Sequence, residues 1–209
     1  PPMSREDGTP VNAVFGFTSM LLKLSEDMEG ENILVVFDAA RTTFRNEIYK
    51  EYKANRSEPP EELVPQFDLI KKATTAIGLK SLEVENYEAD DIIATYVKIA
   101  KKENIETLVI SSDKDLMQLI QDGVSLYDPM KNIKIGQEAV LEKFGVSPDK
   151  VIDVQALAGD SSDNVPGVPG IGVKTASQLI NEYGSLEKLL DNASSVSYTH
   201  LTLPTKLAV

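Results

Sequence analysis

The sequence predicts an α/β chain, a wound and mostly parallel sheet with flanking helices, followed by a small helical domain. Three observations carry this expectation. Residues 32–39 (NILVVFDA) and 106–111 (ETLVIS) are short, continuous aliphatic and β-branched runs, the pattern of strands covered on both faces by helices. Between them, helical periodicity alternates with a further short strand, the order that winds a parallel sheet. Beyond about residue 136 the chain reads as helical.

In order, residues 1–9 are loop-like, and Thr9-Pro10 signals a helix start that runs to about Asp27. The strand at 32–39 leads into a charged, aromatic-containing stretch at 41–56 and a proline-rich break at 57–60. A helix over 62–77, a strand at 82–84 and a helix over 88–103 follow, then the second aliphatic strand at 106–111. A short helix at 115–120 precedes a strand at 124–127, whose hairpin partner contains Ile133 and Ile135. Ser147-Pro148 starts a helix that ends near Gly159. A glycine- and proline-rich turn at 165–172 leads into a helix over 173–183, and Ser185 caps a last short helix. The expected division is 1–135, a sheet-containing domain; 136–195, a helical domain; and 196–209, a tail.

Composition narrows the chemistry. The chain has 209 residues, 42% hydrophobic and 26% charged, and no cysteine, which excludes thiolate chemistry. Its longest strongly apolar run, 33–37, is far short of a membrane span of roughly 20 residues. With no charged-then-apolar leader at its start, the expected setting is the cytoplasm, away from membranes. The one histidine, His200, lies in 196–209 (VSYTHLTLPTKLAV), which carries one charge and differs in character from what precedes it. That stretch reads as non-native or disordered, so histidine-based catalysis is excluded for the body of the protein.

Twenty-one basic and 33 acidic residues give a net charge of −12, opposite in sign to the footprint of a nucleic-acid binder. The placement of the acids changes that reading. Asp38 ends the first aliphatic strand, at the edge where parallel sheets place ligands. Asp113 and Asp115 follow the second strand in SDKD. Glu88, Asp90 and Asp91 occupy the first turn of a helix in YEADD, and Asp160 and Asp163 sit in the loop GDSSDN. The plainer readings are turn formation and stabilisation of a helix dipole, which accounts for one or two such acids at about 0.3–1 kcal/mol each.

If the four elements converge, eight carboxylates share one pocket. Like charges about 4 Å apart repel by roughly 4 kcal/mol at an effective dielectric near 20, so such a cluster binds protons or cations. Oxygen-only ligands select hard ions, Mg²⁺ or Mn²⁺. Two such ions about 4 Å apart can activate a water and stabilise both the attacking and leaving oxygens of a phosphodiester. Setting the eight acids aside leaves 21 − 25, a charge of −4, which weakens the objection to a nucleic-acid partner.

Two segments suit that partner. Residues 41–56 carry Arg41, Arg45, Lys50, Lys53 and Arg56 with Phe44, Tyr49 and Tyr52 between them. Cations pair with phosphates and aromatics stack on unpaired bases, although a solvated amphipathic helix explains the same residues. In GVPGIGVKTA, Gly167, Gly170 and Gly172 allow a tight turn and close approach of backbone to a phosphate, with Lys174 and Thr175 as side-chain donors. The segment does not match a P-loop. Its Pro-Gly-Ile-Gly before a helix is the hairpin of elements that grip DNA backbone without reading sequence.

Taken together, FDA, YEADD, SDKD, GDSSDN and PGVPGIGVKTA, in this order, resemble the 5′ nuclease (5′-3′ exonuclease) domain of bacterial DNA polymerase I, of the flap endonuclease family. The likeness runs from Pro1 to about Ser195. It implies a two-metal-ion nuclease that removes 5′ flaps and RNA primers from DNA near the junction of single and double strand, in replication and repair. It also implies that Asp38, Glu88, Asp90, Asp91, Asp113, Asp115, Asp160 and Asp163 are the metal-site carboxylates. Arg45, Lys53 and Arg56 match the basic arch passed by the 5′ strand. Gly167, Gly170, Gly172, Lys174 and Thr175 match a helix-three-turn-helix that holds the duplex, often with K⁺.

The resemblance departs at the front, where the family has a strand ending in another essential aspartate and an arginine-containing helix. The expectation is therefore a fragment truncated at its start, separated from the polymerase domain that normally follows, and a monomer. Two other functions compete: a DNA-binding module of the same fold without catalysis, and a PIN-type ribonuclease, which normally lacks the hairpin element.

Overall fold

The computed structural model describes residues 3–27 and 32–193; the expected tail at 196–209, with His200, lies outside them. The described residues form two compact units, the first from those up to 43 together with 57–92, the second from 44–56 together with those from 93 to 193.

In the first unit, helix α1 (Asn12–Asp27) packs on helix α3 (Val64–Ala76). The join rests on one buried polar residue. Gln66 Oε1 accepts the backbone N–H of Ala13 at 2.8 Å and of Val14 at 3.3 Å, and its Nε2 donates to Glu62 O. These amides belong to the first turn of α1, where a helix has no internal acceptors. The helix begins later than Thr9-Pro10 suggests, because both residues are used in a turn. Ser4 bridges Pro10, Arg5 N donates to Thr9 O, and Thr9 N donates to Asp7 Oδ1.

Strand β1 (Leu34–Val36) pairs in parallel with β2 (Lys80–Leu82), in the register Leu34↔Lys80 and Val36↔Leu82. Both are shorter than expected, and β2 lies two residues upstream of the predicted 82–84. Phe37 N continues the ladder to Leu82 O, and the Phe37 ring meets Phe17 of α1 at 5.9 Å, tilted by 41°. β1 is only partly covered, with Leu34 exposed, so the expectation of a strand buried on both faces does not hold among the described residues. Its sole strand partner there is β2.

Helix α4 (Ala89–Lys102) is strongly amphipathic, with acids in its first turn and Lys101 and Lys102 in its last, matched to the helix dipole at both ends. Strand β3 (Thr107–Ile110) pairs in parallel with β4 (Val124–Asp128), which pairs antiparallel with β5 (Ile133–Ile135), the expected hairpin. The expected short helix at 115–120 is a 3₁₀ turn, Asp115–Leu119. Helix α5 (Gln137–Phe144) ends on Gly145 in the left-handed region at φ 70°. The helix expected from Ser147-Pro148 is a 3₁₀ turn, Pro148–Lys150, followed by α6 (Val151–Ala158).

A two-residue antiparallel pair, β6 (Gly159–Asp160) with β7 (Val165–Pro166), closes the loop that carries the last acids. Helices α7 (Val173–Tyr183) and α8 (Leu186–Asp191) finish the described chain, and Ser185 Oγ caps α8 by accepting Lys188 N. One core runs through this second unit. Val97, Val109 and Leu126 from α4 and the sheet are buried in the same cluster as Val140, Val154, Leu157, Ile180 and Leu189 from the helices. Packing therefore does not break at residue 136, because β4 and β5 share apolar neighbours with the helices that follow.

Candidate metal and nucleic-acid sites

In the first unit the acids gather at the start of α4. Asp38, two residues past β1, accepts the backbone N–H of Ala89 through Oδ1 at 2.7 Å. Asp91 Oδ2 accepts the N–H of Glu88 at 3.0 Å, the reach-back of a residue in the first helical turn to the residue that caps it. Two carboxylates thus hold consecutive amides, Glu88 N and Ala89 N. Glu88 is itself buried, with 8% of its surface exposed. Asp90 lies in the same first turn. The plainer reading of these acids, as helix-terminal partners, accounts for Asp38 and Asp91 in detail.

In the second unit the acids stand at the ends of β3 and β6. Ser111 Oγ accepts Asp113 N, and Asp113 Oδ1 accepts Asp115 N at 2.9 Å, which starts the 3₁₀ turn. The lysine between them is the centre of the arrangement. Lys114 Nζ pairs with Asp115 Oδ1 at 2.9 Å and with Asp160 Oδ2. Gln155 Nε2 of α6 donates to the same Asp115 oxygen at 2.6 Å, and Ser162 N donates to Asp160 Oδ1 at 2.8 Å. Burial works against the charge on Lys114, but its hydrogen bonds with Asp160 and Asp115 outweigh it and raise the ammonium above its ordinary value. Burial likewise works against the Asp160 carboxylate, and the bonds from Lys114 and Ser162 outweigh it and hold that carboxyl below its ordinary value.

Asp163 takes a different set of partners, all from residues 44–56. Tyr52 Oη donates to Oδ2 at 3.0 Å, Arg56 Nη2 to Oδ1 at 2.5 Å, and Lys53 Nζ lies 3.9 Å away. Backbone bonds reinforce the junction. Lys53, in the left-handed region at φ 56°, donates its N–H to Asp163 O. Asn55 Nδ2 donates to Ser161 O and Asn164 Nδ2 to Glu51 O, each at 2.7 Å. The segment itself is a short helix, α2 (Phe44–Ile48), followed by turns, rather than one amphipathic helix. Arg45 lies over the Phe44 ring at 4.7 Å and Lys53 over the Tyr52 ring at 5.0 Å. Lys50 is exposed. Arg41 belongs to the first unit, where it pairs with Glu58 and donates to Ser57 O.

Asp113, Asp115 and Asp163 line an open cavity of about 550 Å³ together with three cations, Arg56, Lys114 and Lys143. Ser111, Ser112 and Ser162 add polar lining. Alternating acids, cations and hydroxyls suit a phosphate held against hard cations. Sequence reasoning missed Lys114, Gln155 and Lys143; of these only Lys114 carried a signal, a lysine set between two acids at a strand end.

The glycine turn divides into two roles. Gly167 packs against Gly159 with no room for a Cβ, so it is required by the β6–β7 pair. Gly170, at φ +80°, and Gly172, the N-cap of α7, face open space. Lys174 and Thr175 lie in the first turn of α7, Lys174 exposed and Thr175 half-buried.

Within the described residues of neither unit do three or more His, Asp or Glu side chains form a group able to hold a metal ion. Backbone amides and the chain's own cations take up these carboxylates instead. The donor chemistry nonetheless fits a hard divalent cation, because Asp115 and Asp160 already converge on one positive centre through oxygen atoms alone. Mg²⁺ is commonly bound by one or two carboxylates with water completing its shell. Among the described residues, no helix is long and apolar enough to cross a membrane.

The family model for the 5′-3′ exonuclease N-terminal resolvase-like domain matches residues 1–145, and that for the 5′-3′ exonuclease C-terminal SAM fold matches residues 146–208. DNA polymerase I of Rhizobium leguminosarum is 52% identical over 204 residues, covering 94% of this chain and 20% of that protein. The chain thus spans about a fifth of the length of such relatives. A bacteriophage T5 protein crystallised with metal ions superposes with a TM-score of 0.76 at 28% identity, over 85% of this chain and 71% of that one. A bacteriophage T5 flap endonuclease in complex with DNA and metal ions gives 0.76 at 27% identity, over 92% and 72%. With both family models matched in succession over the strands, helices and acidic loops described above, the chain belongs to the 5′-3′ exonuclease family.

Proposed function

We propose that this chain is the nuclease part of a bacterial DNA polymerase I, a 5′-3′ exonuclease and structure-specific 5′ flap endonuclease that acts in the cytoplasm. Its substrate is DNA with a junction of single and double strand, including RNA primers on DNA. The observation that carries the reading is the convergence of Asp115 and Asp160 on a single cation beside a cavity that three further groups, Arg56, Lys143 and Asp163, line from other elements. That pairing of hard oxygen ligands with phosphate-compatible cations is what phosphodiester hydrolysis needs.

Asp113, Asp115, Asp160 and Asp163 in the second unit, and Asp38, Glu88, Asp90 and Asp91 in the first, are the residues proposed to hold two Mg²⁺ or Mn²⁺ ions. Such ions, when bound, polarise the phosphodiester and stabilise charge on the attacking and leaving oxygens. The chain's own residues bind and orient. Arg56 and Lys143, which line the cavity, contact phosphate there in this reading, with Arg41, Arg45, Lys50 and Lys53 contributing along the 5′ strand. Gly170, Gly172, Lys174 and Thr175 offer backbone and side-chain donors to the duplex, with K⁺ as a further ligand of that turn. Gln155 and Ser162 fix the orientation of Asp115 and Asp160. The protein acts as a monomer, in which the helical domain at 136–195 supplies Asp160 and Asp163 to the chemistry as well as the turn that binds the duplex.

The test is incubation with a 5′-labelled flapped duplex in Mg²⁺ or EDTA, beside Asp115→Ala. The expected result is Mg²⁺-dependent release of short 5′ products, lost in EDTA and in the variant. DNA binding without cleavage replaces this reading with that of a DNA-binding module, and preferential cleavage of single-stranded RNA replaces it with a PIN-type ribonuclease.

A further inference from the structure

The lysine of SDKD marks the site in the functional reading above but is given no role of its own there, although it pairs with both acidic loops of the second unit. Lys114 Nζ lies between Asp115 Oδ1 and Asp160 Oδ2, carboxylates that come from different elements, the end of β3 and the strand β6. Each is held by a further donor, Asp115 by Gln155 Nε2 on the oxygen that faces the lysine and Asp160 by Ser162 N on its other oxygen. The Asp160 side chain is only 13% exposed. Without a cation between them, two carboxylates held in this way repel each other in a partly desolvated setting.

We propose that Lys114 is the resident counter-cation of the Asp115–Asp160 pair, occupying in the metal-free protein the position that a divalent cation takes on binding. The inference rests on the metal reading given under the proposed function. A flexible four-carbon stem lets an ammonium leave without moving the backbone, whereas Gln155 and Ser162 keep the carboxylates where they are. Metal binding is then an exchange of one cation for another. The displaced ammonium turns into the cavity it already lines, where an anionic phosphate is its natural new partner. The device keeps the acidic loops folded before metal arrives and lowers apparent metal affinity by the cost of displacing the lysine.

Isothermal titration calorimetry with MnCl₂ tests this on the full chain, comparing wild type with Lys114→Met and Lys114→Gln, the second keeping a hydrogen-bond donor without the charge. Both variants are expected to bind Mn²⁺ about tenfold more tightly at the competed position, while their metal-free thermal midpoints fall and Mn²⁺ restores more stability to them than to wild type. Mn²⁺ binding in wild type with unchanged or weaker affinity in two folded variants overturns the counter-cation role and leaves the metal reading standing. No Mn²⁺ binding by wild type or by either variant overturns the metal reading and this inference with it.

Discussion

Gly159 and Gly167 approach so closely that a Cβ on the first would lie 2.3 Å from the backbone nitrogen of the second. A Cβ on Gly167 would in turn lie 2.3 Å from the Ala158 carbonyl and 2.6 Å from Gly159 N. This contact sets where Asp160 leaves α6 and where the glycine-rich turn begins. Gly167→Ala is therefore expected to cost about 3 kcal/mol, the upper end of the usual range for overpacking, because the obstructing atoms are backbone. Gly172→Ala, with open space and φ −95°, is expected to stay within about 0.5 kcal/mol of wild type. Urea unfolding of both variants checks the contrast.

The ion pairs at Lys114 give metal-free stability a defined pH window. The carboxyl of Asp160 is held below its ordinary 3.8, so its contribution is present above that value and is lost as pH falls through the depressed one. The ammonium of Lys114 is raised above its ordinary 10.5, so its contribution is present below that value and is lost as pH rises through the raised one. Between these limits the pair's contribution is flat. Thermal midpoints in EDTA across acid, neutral and alkaline buffers are expected to show both declines in wild type, with each reduced in Asp160→Asn.

Tyr52 anchors residues 44–56 through one hydroxyl. Tyr52→Phe removes the 3.0 Å bond to Asp163 while leaving Arg56 in place. The expected loss is about 1 kcal/mol, typical of a single hydrogen bond, appearing as faster proteolysis within 44–56 rather than as a change in the α6–α7 core. Asp163→Asn weakens the Arg56 contact as well and is expected to accelerate the same cleavages further.

Lys174 offers a test of duplex binding that is separate from chemistry. It is exposed in the first turn of α7, away from the buried residues of that helix. Lys174→Ala is expected to weaken duplex binding alike for unrelated sequences and to reduce the slope of log affinity against log salt by about 1, as loss of one phosphate contact does. Fluorescence anisotropy over a salt series in EDTA reads this without cleavage.

Local sequence carried much of this structure. Helices α3, α4, α7 and α8 fall within a few residues of where periodicity and capping place them, and the hairpin of Ile133 and Ile135 pairs as expected. What local sequence did not carry depends on partners distant along the chain. The register of β2 is set by Leu34 and Phe37, so its position two residues early has no signature in its own residues. Gln66 reads as a surface residue of α3 until its two bonds to α1 are known. The acids were visible as a group because they recur at element ends. Their present occupants were not, since a long lysine between two aspartates has many rotamers and tertiary geometry selects one.

The junction of Arg56 with Asp163 joins residues 107 apart in the chain. Translation at 5–20 residues per second places roughly 5–20 s between the emergence of the two. During that interval the basic segment exists while its carboxylate anchor has not been made, and the whole of the β3–β5 sheet and α5–α6 must follow before it can dock. Docking of 44–56 is thus among the last contacts the second unit can form during synthesis, and among those with the highest loop-closure cost. A nascent chain that stalls before Asp163 presents four arginines and lysines of this stretch, Arg45, Lys50, Lys53 and Arg56, without the anchor that orders the segment in the finished protein.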